Sequence, residues 1–147
     1  KSNSIYRTVR CDKITIAILD DILRSYKKNG FLKSNLALML LTKNRKTLKK
    51  MAEKIINSVQ EYKLRTLGLT IENSMVEAGS GSLPEKNLKS VTLKFSPKDM
   101  SIDVLSKSFK QYKVPIIGYI NRNSFFIDLK AVLPSQSFHI IDAINKV

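Results

Sequence analysis

Among 147 residues the chain has one cysteine, Cys11, and one histidine, His139. A lone cysteine excludes an internal disulfide, and a single histidine beside it excludes the usual Cys/His spacings of zinc sites. Long apolar runs are missing too. The longest, Leu36 to Leu41, falls far short of the roughly 20 residues that a bilayer-spanning helix needs. No stretch reads as a secretory signal, so a reducing cytoplasm is the expected setting, with no membrane partner. Also lacking are an RNP motif, a zinc finger, a Gly-x-x-Gly in a KH context, and an aromatic stripe on which bases could stack. There is no internal repeat and no low-complexity segment. Carboxylates are scarce, 12 against 26 lysines and arginines, which leaves a net charge of +14.

The apolar fraction of 43% is that of a globular protein rather than a disordered one. A chain of this length fits one domain, or one domain with a connecting helix, and buries roughly 70% of its unfolded surface. It opens on Lys1 rather than Met, the start expected of a piece of a longer polypeptide. The positive charge attracts polyanions such as RNA in a salt-dependent way. Lys43, Lys46, Lys49, Lys50 and Lys54 fall on the polar side of one helix, which is equally the pattern of a solvated face.

Periodicity predicts a first helix from Asp12 to Lys28, with Ile14, Ile18 and Ile22 at spacing four and Ala17 and Leu19 widening the face. Asp12 is the expected N-cap, and Asn29-Gly30 the stop. Phe31 to Leu41 reads as an apolar connector with one short helical turn. A second helix is expected from Lys43 to Lys63, capped by Thr42, with a stripe of Leu48, Met51, Ala52, Ile55, Ile56, Val59 and Tyr62. The period then drops to two. Leu69 and Ile71, then Val91, Leu93 and Phe95, alternate with polar residues as half-buried strands do. Ser101 is the expected cap of a third helix reaching Lys113, with Ile102, Leu105, Phe109 and Tyr112 inward. Two further strands follow, Val114–Ile120 and Ser124–Leu129. Asn121-Arg122-Asn123 joins them, since asparagine tolerates the left-handed backbone of a hairpin turn. Pro134-Ser135 opens a last helix with Phe138, Ile141 and Ile144 on one face. This order predicts an α+β fold, a four-stranded antiparallel sheet with helices on one face. The expected division is a linking segment with a long helix over residues 1–41 and a small α+β domain over 42–147.

Two stretches have the chemistry of an anion site. Arg7 and Arg10 are two planar forks suited to bidentate phosphate or carboxylate binding. Their separation of three makes them neighbours only if the chain bends or turns helically before Asp12; otherwise they are solvated or salt-bridged surface arginines. Gly79-Ser80-Gly81-Ser82 offers backbone that can point successive N–H groups at one anion. It is not a P-loop, because no Gly-Lys-Ser/Thr follows, and a plain connection between strands reads the same way. Cys11, beside Arg10 and near Lys13, is in surroundings that favour a thiolate. Its one imidazole partner would be His139, at the far end of the chain on a packing helix, so a Cys-His nucleophile pair is not expected. Lys13, in the first turn of a helix, is not read as a Schiff-base lysine.

The order of motifs adds a family. Tyr6-Arg7-Thr8-Val9-Arg10-Cys11-Asp12-Lys13-Ile14-Thr15 resembles the Arg-Ala-Leu-Arg-Val-Asp-Lys-Leu-Thr segment of bacterial selenocysteine synthase, L-seryl-tRNA(Sec) selenium transferase. Gly79-Ser80-Gly81-Ser82-Leu83-Pro84 resembles its Gly-Gly-Gly-Ser-Leu-Pro loop. Pro115-Ile116-Ile117-Gly118-Tyr119-Ile120 and Asp128-Leu129-Lys130-Ala131-Val132-Leu133-Pro134 are similar to its Pro-Val-Ile-Gly-Arg-Ile and Asp-Leu-Arg-Thr-Val-Leu-Pro. The resemblance implies the C-terminal end of a fold-type I pyridoxal-phosphate enzyme, with the cofactor lysine upstream of Lys1 and the fragment inactive alone. It implies that Arg7 and Arg10 hold the anionic selenium donor, selenophosphate. It also implies tRNA(Sec) as substrate carrier, a dehydroalanyl intermediate, and a homo-oligomer with shared sites. Cys11 and Ser80 depart from the pattern, which has an aliphatic residue and glycine there. Two other readings stay open: a related pyridoxal-phosphate lyase without a selenium role, and a non-enzymatic basic RNA-binding module.

Overall fold

The computed structural model describes residues 5–28, 31–77 and 87–147. The chain separates into two units, Lys1–Met39 and Leu40–Val147. In the first, α1 (Ile5–Thr8) is a single turn and α2 (Lys13–Lys27) is the long helix expected from periodicity. Asp12 caps α2: its carboxylate accepts from the Thr15 N–H and from Thr15 Oγ1, both at 2.8 Å. Those hydrogen bonds hold its pKa below the ordinary aspartate value. The apolar stripe forms as predicted, yet no residue of α2 is buried. Ile14, at the start of the stripe, is 72% exposed and Ile22, near its end, 41%. The expected connector with one turn is instead two short helices, α3 (Phe31–Ser34) and α4 (Leu36–Leu41). Asn35 separates them, its side chain accepting from the Leu38 N–H at 3.1 Å.

The second unit holds α5 (Arg45–Asn57), α6 (Glu61–Thr66), β1 (Thr70–Glu77), β2 (Asn87–Phe95), α7 (Ile102–Gln111), β3 (Tyr119–Asn121), β4 (Ser124–Asp128), a 3₁₀ turn over Pro134–Gln136, and α8 (Ser137–Lys146). The strands form one antiparallel sheet in the order β1-β2-β4-β3, the α+β architecture predicted from the sequence. Alternation puts Val91, Leu93 and Phe95 of β2 on one face. The register, Leu93 opposite Ile127 and Phe95 opposite Phe125, brings β4 onto the same face. Leu48, Ala52 and Ile55 of α5, Ile102, Leu105 and Phe109 of α7, and Ile140, Ala143 and Ile144 of α8 close the core against it. At its centre three fully buried rings meet, with Phe109 stacked on Phe125 at 5.4 Å and Phe95 edge-on to Phe109 at 5.3 Å. Each such ring pair contributes roughly 0.5–1.5 kcal/mol beyond its area.

Several sequence expectations are corrected by the structure. The helix expected over Lys43 to Lys63 is broken at Ser58–Gln60, because Asn145 of α8 accepts the Gln60 N–H at 3.1 Å. Tyr62 therefore leaves the apolar stripe and is 59% exposed. The cap of α5 is Asn44, not Thr42: its side-chain oxygen accepts from the Thr47 N–H at 2.8 Å. The strand expected from Val114 shrinks to Tyr119–Asn121, since the Ile116 N–H turns back to the Phe109 carbonyl at 3.0 Å. Gly118 then lies flat against the Phe125 ring and the Phe126 carbonyl, where a Cβ would collide with both. The β3–β4 hairpin has the predicted left-handed turn, at Arg122 (φ 44°) and Asn123 (φ 56°). On α8 the buried stripe is Ile140, Ala143 and Ile144, while Phe138 faces out.

Helix α8 is tied to the end of α7 by Asp142, which accepts from the Tyr112 hydroxyl, from Lys146 at 3.2 Å and from Lys113 at 3.4 Å. The Tyr112 hydrogen bond foremost, then Lys146, pulls its pKa from 3.8 to about 2. A depressed carboxylate contributes stability that is present above its unfolded pKa and lost as pH falls through the folded one. We therefore expect wild-type stability to drop between pH 3.8 and about 2, read from urea midpoints. Asp142→Asn should lack that component of the acid loss; an unchanged acid limb in the variant would refute the assignment.

Candidate functional site

Before α2 the chain makes a single helical turn, α1, which takes in Arg7 but not Arg10. Arg7 belongs to the single turn of α1, closed by the Val9 N–H on the Ile5 carbonyl at 3.3 Å. Arg10 lies beyond that turn, exposed and outside the ion pairs found among the described residues. The Arg7 side chain is outside the described part of the structure, as are Gly79, Ser80, Gly81 and Ser82. Cys11 is an exposed free thiol. Lys13 is exposed at the first position of α2, far from the desolvated pocket that a Schiff-base lysine needs.

The polar face of the sheet holds a network with no counterpart in the sequence reading. Asp128, at the end of β4, accepts from Ser74 Oγ of β1 at 2.9 Å and from Ser90 Oγ of β2 at 2.6 Å. It also accepts the backbone N–H of Lys130 at 2.8 Å. Lys130 is itself buried, and its ammonium donates to the Lys43 carbonyl at 2.7 Å and the Lys89 carbonyl at 3.2 Å. Lys43 in turn donates to the Val132 carbonyl at 2.5 Å. Burial lowers the pKa of both lysines. The charge of Lys130 depresses Lys43 further, while Asp128 opposes the shift in Lys130. These amines, Lys130 buried and Lys43 half-buried, are spent on carbonyls. They fasten α5 to the sheet and are not poised as nucleophiles. The sequence signal was the charged pair two residues apart in Asp128-Leu129-Lys130, read only as part of a family motif.

Two hollows border this network. One, of about 250 Å³, lies over the open sheet face among Glu72, Thr92, Lys94, Tyr119, Arg122 and Phe126. Tyr119 and Phe126 stack at 5.2 Å, and Lys94 is paired with Glu72 at 2.8 Å. Burial, then Asp128 and Glu72, raise the Tyr119 pKa, so the local field is not that of an anion site. The other, of about 200 Å³, is apolar and runs from Pro115 and Ile117 to His139. His139 Nδ1 is buried there without a hydrogen-bond partner among the described residues; the helix position of His139 is the one predicted. No group of three or more metal-ligating side chains is found among the described residues. No helix among them is long and apolar enough to cross a membrane.

Removing the Lys130 ammonium would leave the Lys43 and Lys89 carbonyls without their charged donor, at about 1.5–3 kcal/mol for hydrogen bonds to a charged group. Lys130→Met should therefore lower unfolding stability by about 2 kcal/mol in denaturant titration. A change below a few tenths would show that water replaces the amine.

Comparison with known proteins gives a consistent result. Residues 1–133 match the protein family described as SelA, L-seryl-tRNA selenium transferase. The L-seryl-tRNA(Sec) selenium transferase of Carboxydothermus hydrogenoformans is 29% identical over 136 residues, 92% of this chain and 29% of that protein. The protein of the same name from Proteus mirabilis is 33% identical over 130 residues, 86% of this chain and 28% of that protein. The one from Alkaliphilus oremlandii is 28% identical over 148 aligned positions, all of this chain and 32% of that protein. The chain thus spans roughly 30% of the length of the curated relatives it matches.

Proposed function

Since the chain belongs to the SelA family of L-seryl-tRNA selenium transferases, we propose that it forms the C-terminal part of a cytoplasmic pyridoxal-phosphate enzyme. That enzyme converts seryl-tRNA(Sec) to selenocysteinyl-tRNA(Sec) with selenophosphate. The observation that carries this reading is the family match over residues 1–133, which includes the Arg7–Arg10 segment. Polypeptide beyond this chain supplies the cofactor lysine and the larger domain, and subunits of a homo-oligomer share sites.

The uncovered stripe of α2 supports an enzyme assembled from more than this chain. Ile14, Ile18 and Ile22 are each at least 41% exposed, and covering such a stripe gains about 25 cal/mol per Å². The amines of Lys43 and Lys130 are engaged by backbone carbonyls and do not fit the Schiff-base role, so no step of the reaction is routed through them. Pyridoxal phosphate, bound elsewhere in the enzyme, supplies the electron sink.

In this reading Arg7 and Arg10 hold the anionic donor by charge-assisted hydrogen bonds, and the Gly79–Ser82 loop adds backbone N–H groups. Arg10 has no competing carboxylate among the ion pairs of the described residues, as a group reserved for a ligand would have none. Arg7→Ala and Arg10→Ala in the complete enzyme should each lower selenium transfer about 10²-fold and weaken donor binding. Wild-type turnover and donor affinity in both variants would end the assignment. Turnover of a small phosphorylated amino acid without tRNA would favour the lyase instead.

A further inference from the structure

Helix α5 holds five basic residues and one acidic residue in 13 positions. Leu48, Ala52 and Ile55 face the core. Lys46, Lys50 and Lys54 recur every fourth residue on the opposite side and are exposed. Successive members stand about 6 Å apart along the axis. The one carboxylate, Glu53, lies three residues from Lys50 and four from Lys49, and is in no ion pair among the described residues. None of the three lysines belongs to an ion pair among the described residues.

Local energetics opposes this arrangement twice. Like charges at a spacing of four repel on a helix surface. Arg45 and Lys46 also occupy a first turn without an acidic residue, at the positive end of the helix dipole, where carboxylates are favoured. A sequence that breaks a local rule without compensation inside the fold points to a compensating partner outside it.

Lys50 and Lys54 of the row rim a groove of about 250 Å³ whose wall is mostly apolar, with Leu48, Met51 and Pro134. The hydroxyl protons of Thr47 and Ser137 are already donated, to the Asn44 side chain and the Pro134 carbonyl. The Lys43 amine is likewise spent on the Val132 carbonyl. The free charge is therefore that of the exposed row, without directed hydroxyl donors, which suits a repeating anion read without regard to sequence. A lipid surface fits less well. A helix that lies in a membrane interface needs its apolar face free to enter the acyl region, and that face of α5 is packed in the core.

We propose that the Lys46–Lys50–Lys54 row docks the phosphodiester backbone of RNA. The surface is distinct from the anion site of Arg7 and Arg10, and its role stands whether or not the selenium reaction does.

The test is fluorescence anisotropy of the full-length protein with a labelled tRNA transcript across salt concentrations. Lys46→Gln/Lys50→Gln/Lys54→Gln keeps good helix formers and removes three charges. We expect affinity to fall about tenfold or more and the salt slope to become shallower by about 2–3, with unchanged circular dichroism. Lys98→Gln/Lys107→Gln/Lys110→Gln removes the same charge from exposed positions elsewhere and should leave both quantities near wild type. Unchanged affinity and slope in the first variant would overturn the proposal, as would an equal loss in the second, which would reduce the effect to net charge. Binding to phosphatidylserine vesicles that the first variant loses while keeping RNA affinity would also overturn it, in favour of a membrane. The assay reads no turnover, so its failure leaves the transferase reading intact.

Discussion

The carboxylate of Asp128 gathers β1 and β2 onto β4 through two serine hydroxyls, Ser74 and Ser90. It also fixes the backbone from which the Lys130 ammonium reaches the chain ahead of α5. Buried polar groups are stable only when satisfied, and here the satisfaction is mutual. The carboxylate takes neutral donors, the ammonium takes backbone carbonyls, and neither is left exposed to the core. The sheet supplies the platform and this network sets where α5 starts. The placement of α5 in turn decides which of its faces meets the core and which presents lysines to solvent.

The two units have opposite characters. The second closes its apolar surface upon itself around Phe95, Phe109 and Phe125. The first presents a well-capped helix whose apolar stripe is exposed throughout. A helix is ordinarily stabilised by packing its apolar face rather than by propensity. An uncovered stripe of that length agrees with a chain that matches about 30% of its relatives' length.

Much of this organisation was legible in the sequence wherever the cause was local. Asp12 and Ser101 announce their helices because a cap acts over three residues, as the Thr15 and Val104 amides confirm. Val91, Leu93 and Phe95 announce a core strand because alternation is a property of one segment. One failure was local, the Asn44 cap of α5 expected at Thr42, and others come from partners distant in sequence. Asn145 lies 85 residues from the amide it captures at the break between α5 and α6, and Phe109 draws off the Ile116 amide that would have lengthened β3. Asp128 stood out in the sequence only as part of a family motif, because its serine partners lie 38 and 54 residues away. Periodicity revealed the apolar side of α2 without telling what lies against it. Arg7 and Arg10 gained meaning only through family resemblance, since two arginines three residues apart carry little information in themselves.

The β3–β4 hairpin turns on two residues in the left-handed region, Arg122 and Asn123. Arg122 adopts φ 44°, a left-handed conformation that costs an ordinary L-residue about 1–2 kcal/mol and asparagine or glycine less. Its neighbour Asn123 meets the same demand cheaply. The tip of the hairpin thus keeps a long cation where a smaller polar residue would fold more easily. A chain optimised purely for thermal endurance would exchange Arg122 early, giving up a guanidinium at the rim of the sheet's open hollow.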